Sequence, residues 1–168
     1  MGWISGLIIA IVVAVGGAYV GGGSFAAGYV MPADAMFPAI ERGGKVHVRY
    51  TSPDAFSRGQ VVLFQAPGEE GYSVRRVIAL PGETIELIQG ELRINGAKTT
   101  EPWLQPKPGE EPRIENPSPD YYGPLTVPEG QIFVMGDLRK GSKDSRAYGP
   151  IPFANVVGVV WNVFGMVL

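Results

Sequence analysis

No side chain between Gly2 and Met31 carries a charge. Within that stretch Trp3–Val20 (WISGLIIAIVVAVGGAYV) is almost continuously apolar. Crossing a bilayer takes roughly 20 such residues, at about 1.5 Å of rise each across about 30 Å of hydrocarbon. Residues 1–30 are therefore expected to be a single-pass membrane anchor, with Trp3 and Tyr19 near the two interfaces. Residues 31–168 then fold as one domain tethered to the lipid bilayer. The competing reading is a cleaved leader, because Ser24-Phe25-Ala26 offers small residues at cleavage spacing. The absence of Lys or Arg before the apolar run, and the run's length, favour a retained anchor. Orientation does not follow from charge. Only Arg42 and Lys45 approach the end of the run, and the positive-inside rule applied to them alone favours a cytoplasmic domain. Gly2 and Gly6, Gly17 and Gly21, and Gly22 and Ala26 stand four apart, a spacing that lets another transmembrane helix approach closely.

The rest of the composition excludes several classes. A net charge of -2 and a pI near 5.4 give no basic field for nucleic acid. There is no cysteine, hence no disulfide framework, thiolate metal site or cysteine nucleophile. One histidine, His47, rules out a multi-histidine metal centre and disfavours a Ser-His-Asp triad. No metal or other cofactor is called for. With Gly 24 and Pro 15, the chain suits many short strands joined by turns, an all-β domain.

The local patterns agree. Lys45-Val46-His47-Val48-Arg49 alternates with period two, which places Val46 and Val48 inward and His47 on a solvated face. Gln60–Gln65 (QVVLFQ) has the apolar run of a buried strand, and Ser73–Leu80 ends at the turn Pro81-Gly82. Thr84–Ile88, Gln89-Gly90 and Glu91–Ile94 read as a hairpin, closed by a second tight turn at Asn95-Gly96. Residues 99–125 hold seven prolines, among them Pro102 and Pro124, and are expected to run over the surface without regular ladders. Gln131–Met135 resumes as a strand. Asn155–Leu168 is too short to span and reads as a buried or membrane-skimming strand.

Three segments stand out together: PADAMFPAIERGGKVHV (Pro32–Val48), YSVRRVIALPGE (Tyr72–Glu83) and VPEGQIFVMGDLRKGSKDSRAYGPIP (Val127–Pro152). In order and spacing they resemble the type I signal peptidases, Ser-Lys endopeptidases that remove leader peptides at the outer membrane face. GETIELIQGELRINGAKTTEPWL (Gly82–Leu104) is similar to the stretch after the family's lysine, and MGD…S-x-D-S-R…G (Met135–Gly149) is the most specific piece. The resemblance implies a coiled, mostly antiparallel β domain on the extracytoplasmic side of the plasma membrane. It also implies a groove that takes a leader peptide as an added strand, and an apolar surface against the bilayer. Candidates for that surface are Phe37, Phe153, Trp161, Phe164 and Met166, and core packing explains most of them equally well.

The chain departs from the family's pattern at its centre. The motif S-M-x-P carries the nucleophile; here Ala35 precedes Met36 and Pro38. Lys-Arg, with the lysine as general base, is replaced by Arg75-Arg76 before Pro81-Gly82. A hydroxyl that often helps bind the oxyanion is replaced by Ala33. Attack on an amide needs an oxygen or sulfur that can lose a proton, and a methyl offers neither. A buried lysine can be held neutral, whereas arginine stays protonated, so Arg75 cannot serve as base. Asp34 and Asp144 could be imagined activating water, but that needs converging carboxylates with split pKa values, and Asp34 is expected to face away from position 35. By resemblance Ser142 supports the lysine, Asp144 and Arg146 form a charge pair, and Gly136, Asp137 and Ser145 belong to the third motif. There the family usually reads G-D-N-R-D-N-S against Gly136-Asp137-Leu138-Arg139-Lys140-Gly141-Ser142 here. Drift over that many positions favours a natural non-catalytic relative over deliberate inactivation. Arg75 is expected to pair with Asp144 or Asp34.

Two functions from different classes follow. One is a binding protein that keeps the groove, meets leader peptides or secreted preproteins, and partners an active signal peptidase or another transmembrane helix. The other is a working leader peptidase, or an inactivated variant of one.

Overall fold

The structure is a computed structural model that describes residues 26–49, 56–104 and 121–163. The strands are β1 (Ala26–Val30), β2 (Lys45–Arg49), β3 (Val61–Phe64), β4 (Ser73–Ala79), β5 (Thr84–Ile88), β6 (Glu91–Ile94), β7 (Ala97–Lys98), β8 (Tyr121–Thr126), β9 (Gln131–Met135), β10 (Ile151–Pro152) and β11 (Val156–Val163). One short helix, α1 (Ser145–Tyr148), lies between β9 and β10. A seven-stranded sheet has the order β1-β2-β11-β3-β4-β9-β10, and a four-stranded sheet the order β7-β6-β5-β8. The pairings are all antiparallel. The expected all-β, mostly antiparallel domain is thus present.

Periodicity explains most strands. β2 buries Val46 and Val48 and leaves Lys45 and Arg49 in water. β3 is buried at all four positions, as its unbroken apolar run requires. At the β5–β6 turn Gln89 and Gly90 both take positive φ, of 51° and 77°, the geometry that a two-residue hairpin of this hand needs. β4 feeds all three cores: Val74 packs under β2 and β11, Ile78 between the two sheets, and Val77 with Phe64 and Ile132 on the opposite side. Burying a side chain such as Ile78, Phe64 or Met36 contributes about 1.5–3 kcal/mol, so β4 is held on both faces.

Three expectations change. Ala26–Val30, assigned above to the end of the anchor, is β1, paired with β2 from Ala26↔Arg49 to Val30↔Lys45. Its Gly-Ala-rich sequence continues the apolar run and hides the strand. The rest of the expected anchor, residues 1–25, lies outside the described residues; among the described ones no helix is long and apolar enough to cross a membrane. Tyr121–Thr126, the end of the expected Pro-rich excursion, is an edge strand on β5. Pro124 is tolerated because β8 has a neighbour on one side only, and Gly123, at φ 77°, is required there because a Cβ would sit 2.6 Å from the Ile85 carbonyl oxygen. Residues 105–120 lie outside the described residues. Finally, His47 is half-buried, its ring centroid 5.7 Å from that of Trp161. Of the proposed apolar-surface residues, Trp161 is exposed, Phe153 packs edge-on to Phe56, Phe37 is half-buried, and Phe164 and Met166 lie outside the described residues.

Candidate active-site cleft

Between the ends of β1 and β4 lies a cleft of about 60 Å³. One wall is Met31, Pro32, Ala33 and Ala35; the other is Tyr72, Ser73, Val74 and Arg75, with Tyr29 beside them. The first wall is a chain of turns: Met31 N–H donates to Gly44, Phe37 N–H to Asp34 and Ile40 N–H to Met36. Met36 and Ile40 plug the core and hold Ala35, 4% exposed, at the base of the wall. The third motif clamps it from behind through Leu138 N–H to the Ala35 carbonyl, 3.0 Å. Asp34 does face away: it is exposed and accepts from the Arg42 N–H at 3.1 Å. Ala33 and Pro38 are also exposed.

Arg75 and Arg76 are neighbours on a strand and point to opposite faces. Arg76 makes a buried bidentate pair with Asp137, at 2.9 and 2.6 Å, donates to the Gly59 carbonyl at 2.7 Å, and lies over the Trp103 ring. Arg75 turns to the cleft side and bonds carbonyls: Lys143 through Nε (3.1 Å) and Nη2 (2.8 Å), and Val74 through Nη1 (2.6 Å). The expected pairing of Arg75 with Asp144 or Asp34 does not occur. Asp144, fully buried, is committed to Arg146 at 2.8 and 2.7 Å and to the Gly136 N–H at 2.9 Å. Burial alone would raise the Asp144 carboxyl; the bonds and charge of Arg146 and the N–H of Gly136 outweigh it and hold the group below its ordinary value. Burial pushes the Arg75 guanidinium down, and Tyr148, Asp144 and Tyr29 oppose that shift from a distance.

Ser145 Oγ accepts from the Val134 N–H at 3.0 Å. Ser142 Oγ is buried and has no hydrogen-bond partner among the described residues. Pro81 and Gly82 close the turn at the far end of β4, with the Gly82 N–H on the Val127 carbonyl, and do not line the cleft. Sequence reasoning missed the Lys143 carbonyl, Tyr29 and Tyr72 at the cleft, and the support of Arg139 by Glu101 at 3.0 Å. Nothing in the sequence signalled these pairings, because each joins segments far apart. Among the described residues no group of three His, Asp or Glu could hold a metal ion.

Gly136 is the contact point of the whole site. A Cβ there would enter contact distance of Ser142 Oγ and lie 2.6 Å from the Ala35 carbonyl oxygen. Gly136→Ala is expected to cost about 1–3 kcal/mol in urea denaturation, the usual range for overpacking. Gly28→Ala, with nothing within 4 Å of its Cβ, should cost clearly less. Equal losses would mean that the clamp on Ala35 gives freely.

The curled antiparallel sheet holds positions 35 and 75 in one strand-end cleft, with Ser142 behind them at Gly136, where the Ala35 carbonyl also packs. The family model described as signal peptidase, peptidase S26, matches residues 3–164. Signal peptidase I S of Bacillus subtilis is 35% identical over 148 residues, covering 86% of this chain and 77% of the relative. Signal peptidase I of Bacillus licheniformis is 34% identical over 167 residues, covering 96% and 87%. The crystal structure of a signal peptidase I from Enterococcus faecalis superposes with a TM-score of 0.53 at 34% identity, covering 63% of this chain and 97% of that one. The chain belongs to the signal peptidase family, peptidase S26.

Proposed function

We propose that this chain is a non-catalytic signal peptidase I-like membrane protein, anchored once in the plasma membrane with its domain outside, which keeps the leader-peptide groove and cuts nothing. The observation that carries this is the pair of groups at the reactive positions. The cleft holds the methyl of Ala35 and a guanidinium bonded to two carbonyls. A methyl cannot attack a carbonyl carbon, and a guanidinium cannot take a proton at neutral pH. The unpartnered Ser142 hydroxyl fits a site that has lost the amine it once supported. The relatives' names denote a peptidase; the chemistry at positions 35 and 75 argues against carrying that activity over.

The groove reading rests on strand pairing. β4 pairs with β3 from Ser73 onward, but with β9 only from Arg76 onward. On the β9 side Ser73–Arg75 has no strand partner among the described residues, and it faces Met31–Ala35 across the cleft. An extended peptide can add there through backbone hydrogen bonds. Purified full-length chain in detergent is expected to bind a labelled leader peptide and to release no fragment, under conditions where an active relative cleaves it. Turnover that follows this protein through a final size-exclusion step would overturn the reading.

A further inference from the structure

Arg75 brings a cation to the cleft, and among the described residues no carboxylate is bonded to it. A guanidinium has five N–H donors. Three are spent on the Lys143 and Val74 carbonyls, which are neutral, and two remain. The nearby carboxylates are committed elsewhere: Asp144 to Arg146 and Gly136, Glu69 to the Lys143 ammonium, Asp34 to the Arg42 N–H. Among the described residues no carboxylate bonds Arg75, and burial disfavours its charged form. The N–H of Ala35, at the base of the same cleft, also donates to no group among the described residues.

We propose that this cleft is a receptor for the free C-terminal carboxylate of a peptide, with Arg75 and the Ala35 N–H as its donors. The chain would then hold released leader peptides in preference to uncut preproteins. This rests on the peptide-groove reading above and adds a ligand class to it. A chain that continues through the cleft presents a neutral amide to Arg75, whereas a chain that ends there presents a carboxylate. Hydrogen bonds between charged partners are roughly twice as strong as neutral ones, and a planar guanidinium matches a carboxylate in shape.

The test uses full-length chain in lipid nanodiscs and three labelled peptides, read by fluorescence anisotropy. One ends in Ala-Gln-Ala with a free carboxylate, one is its C-terminal amide, and one continues past the last Ala. The acid is expected to bind about tenfold or more tighter than the other two. Arg75→Met should abolish that preference, read as the ratio of acid to amide affinity within the variant. Equal affinity for acid and amide would overturn the proposal and leave the groove reading standing, as would a preference that survives Arg75→Met. No binding of any probe up to millimolar concentration would overturn both. Cleavage of the continued peptide would overturn the non-catalytic reading and this one with it.

Discussion

Asp144→Ala is expected to lower folding stability by about 3–5 kcal/mol, the range for breaking a buried ion pair from one side. The carboxylate has no exposure and accepts from Arg146 through Nε and Nη2, from the Arg146 backbone N–H at 3.2 Å, and from the Gly136 N–H. It also caps the N-terminus of α1. Without it the Arg146 guanidinium, 9% exposed and already holding one unsatisfied nitrogen, is left as an uncompensated buried charge. Asp144→Ala/Arg146→Met should recover much of the loss, because the cost lies in the orphaned charge more than in the pair. The pH dependence has a definite sign. The folded pKa lies below the ordinary carboxylate value, so Asp144 contributes fully above the unfolded value of about 3.9 and loses its contribution as pH falls through the folded one. The gap between the native protein and Asp144→Asn, measured by urea denaturation, should stay constant from neutral pH to about pH 5 and narrow below pH 4. A gap that widens on acidification would show that Asp144 is not held as the anion.

What could be read from the sequence was local. The period-two pattern of Lys45–Arg49, the apolar run before Gln65 and the Gln89-Gly90 turn each mark their element, because side-chain alternation and positive φ are decided within a few residues. β1 was hidden because Ala26-Ala27-Gly28 extends an apolar run whose length argues for a membrane span. β8 was hidden because Pro124 argues against a ladder, and only the edge position, which no local pattern reveals, removes the objection. The site divides the same way. Resemblance to the signal peptidase motifs marked Ala35, Arg75, Ser142 and Asp144 as one site, and Asp144 and Arg146 stand only two positions apart. The choice of Arg75 between a carboxylate and the Lys143 carbonyl depends on a partner 68 positions away, and Arg76 reaches Asp137 across 61. Opposite faces of one strand decide which arginine takes which partner, and that follows only once β4 is seated between β3 and β9.

On the non-catalytic reading proposed above, Ala35→Ser together with Arg75→Lys is expected to create leader-peptide cleavage. Ala35→Ser would place a hydroxyl on a backbone already clamped through the Leu138 N–H. Arg75→Lys would put an amine in the same partly buried cleft wall, where desolvation lowers its pKa towards neutrality. The idle Ser142 hydroxyl offers that amine a hydrogen-bond partner. The two groups act as a unit, so cleavage of a leader peptide should rise above background only when both are present. Ala35→Ser alone, still facing a guanidinium, should remain silent, because nothing takes its proton. Adding Ala33→Ser, on the same cleft wall, should raise turnover further, up to roughly 10²–10³-fold, if its hydroxyl reaches the oxyanion. The rate constant for fragment release, followed by mass spectrometry, measures each step. Thermal unfolding must be unchanged, and rates are compared at saturating peptide, for the comparison to hold. A triple variant that folds, binds the peptide and releases nothing would show that the groove geometry, and not only its two reactive groups, has moved away from catalysis.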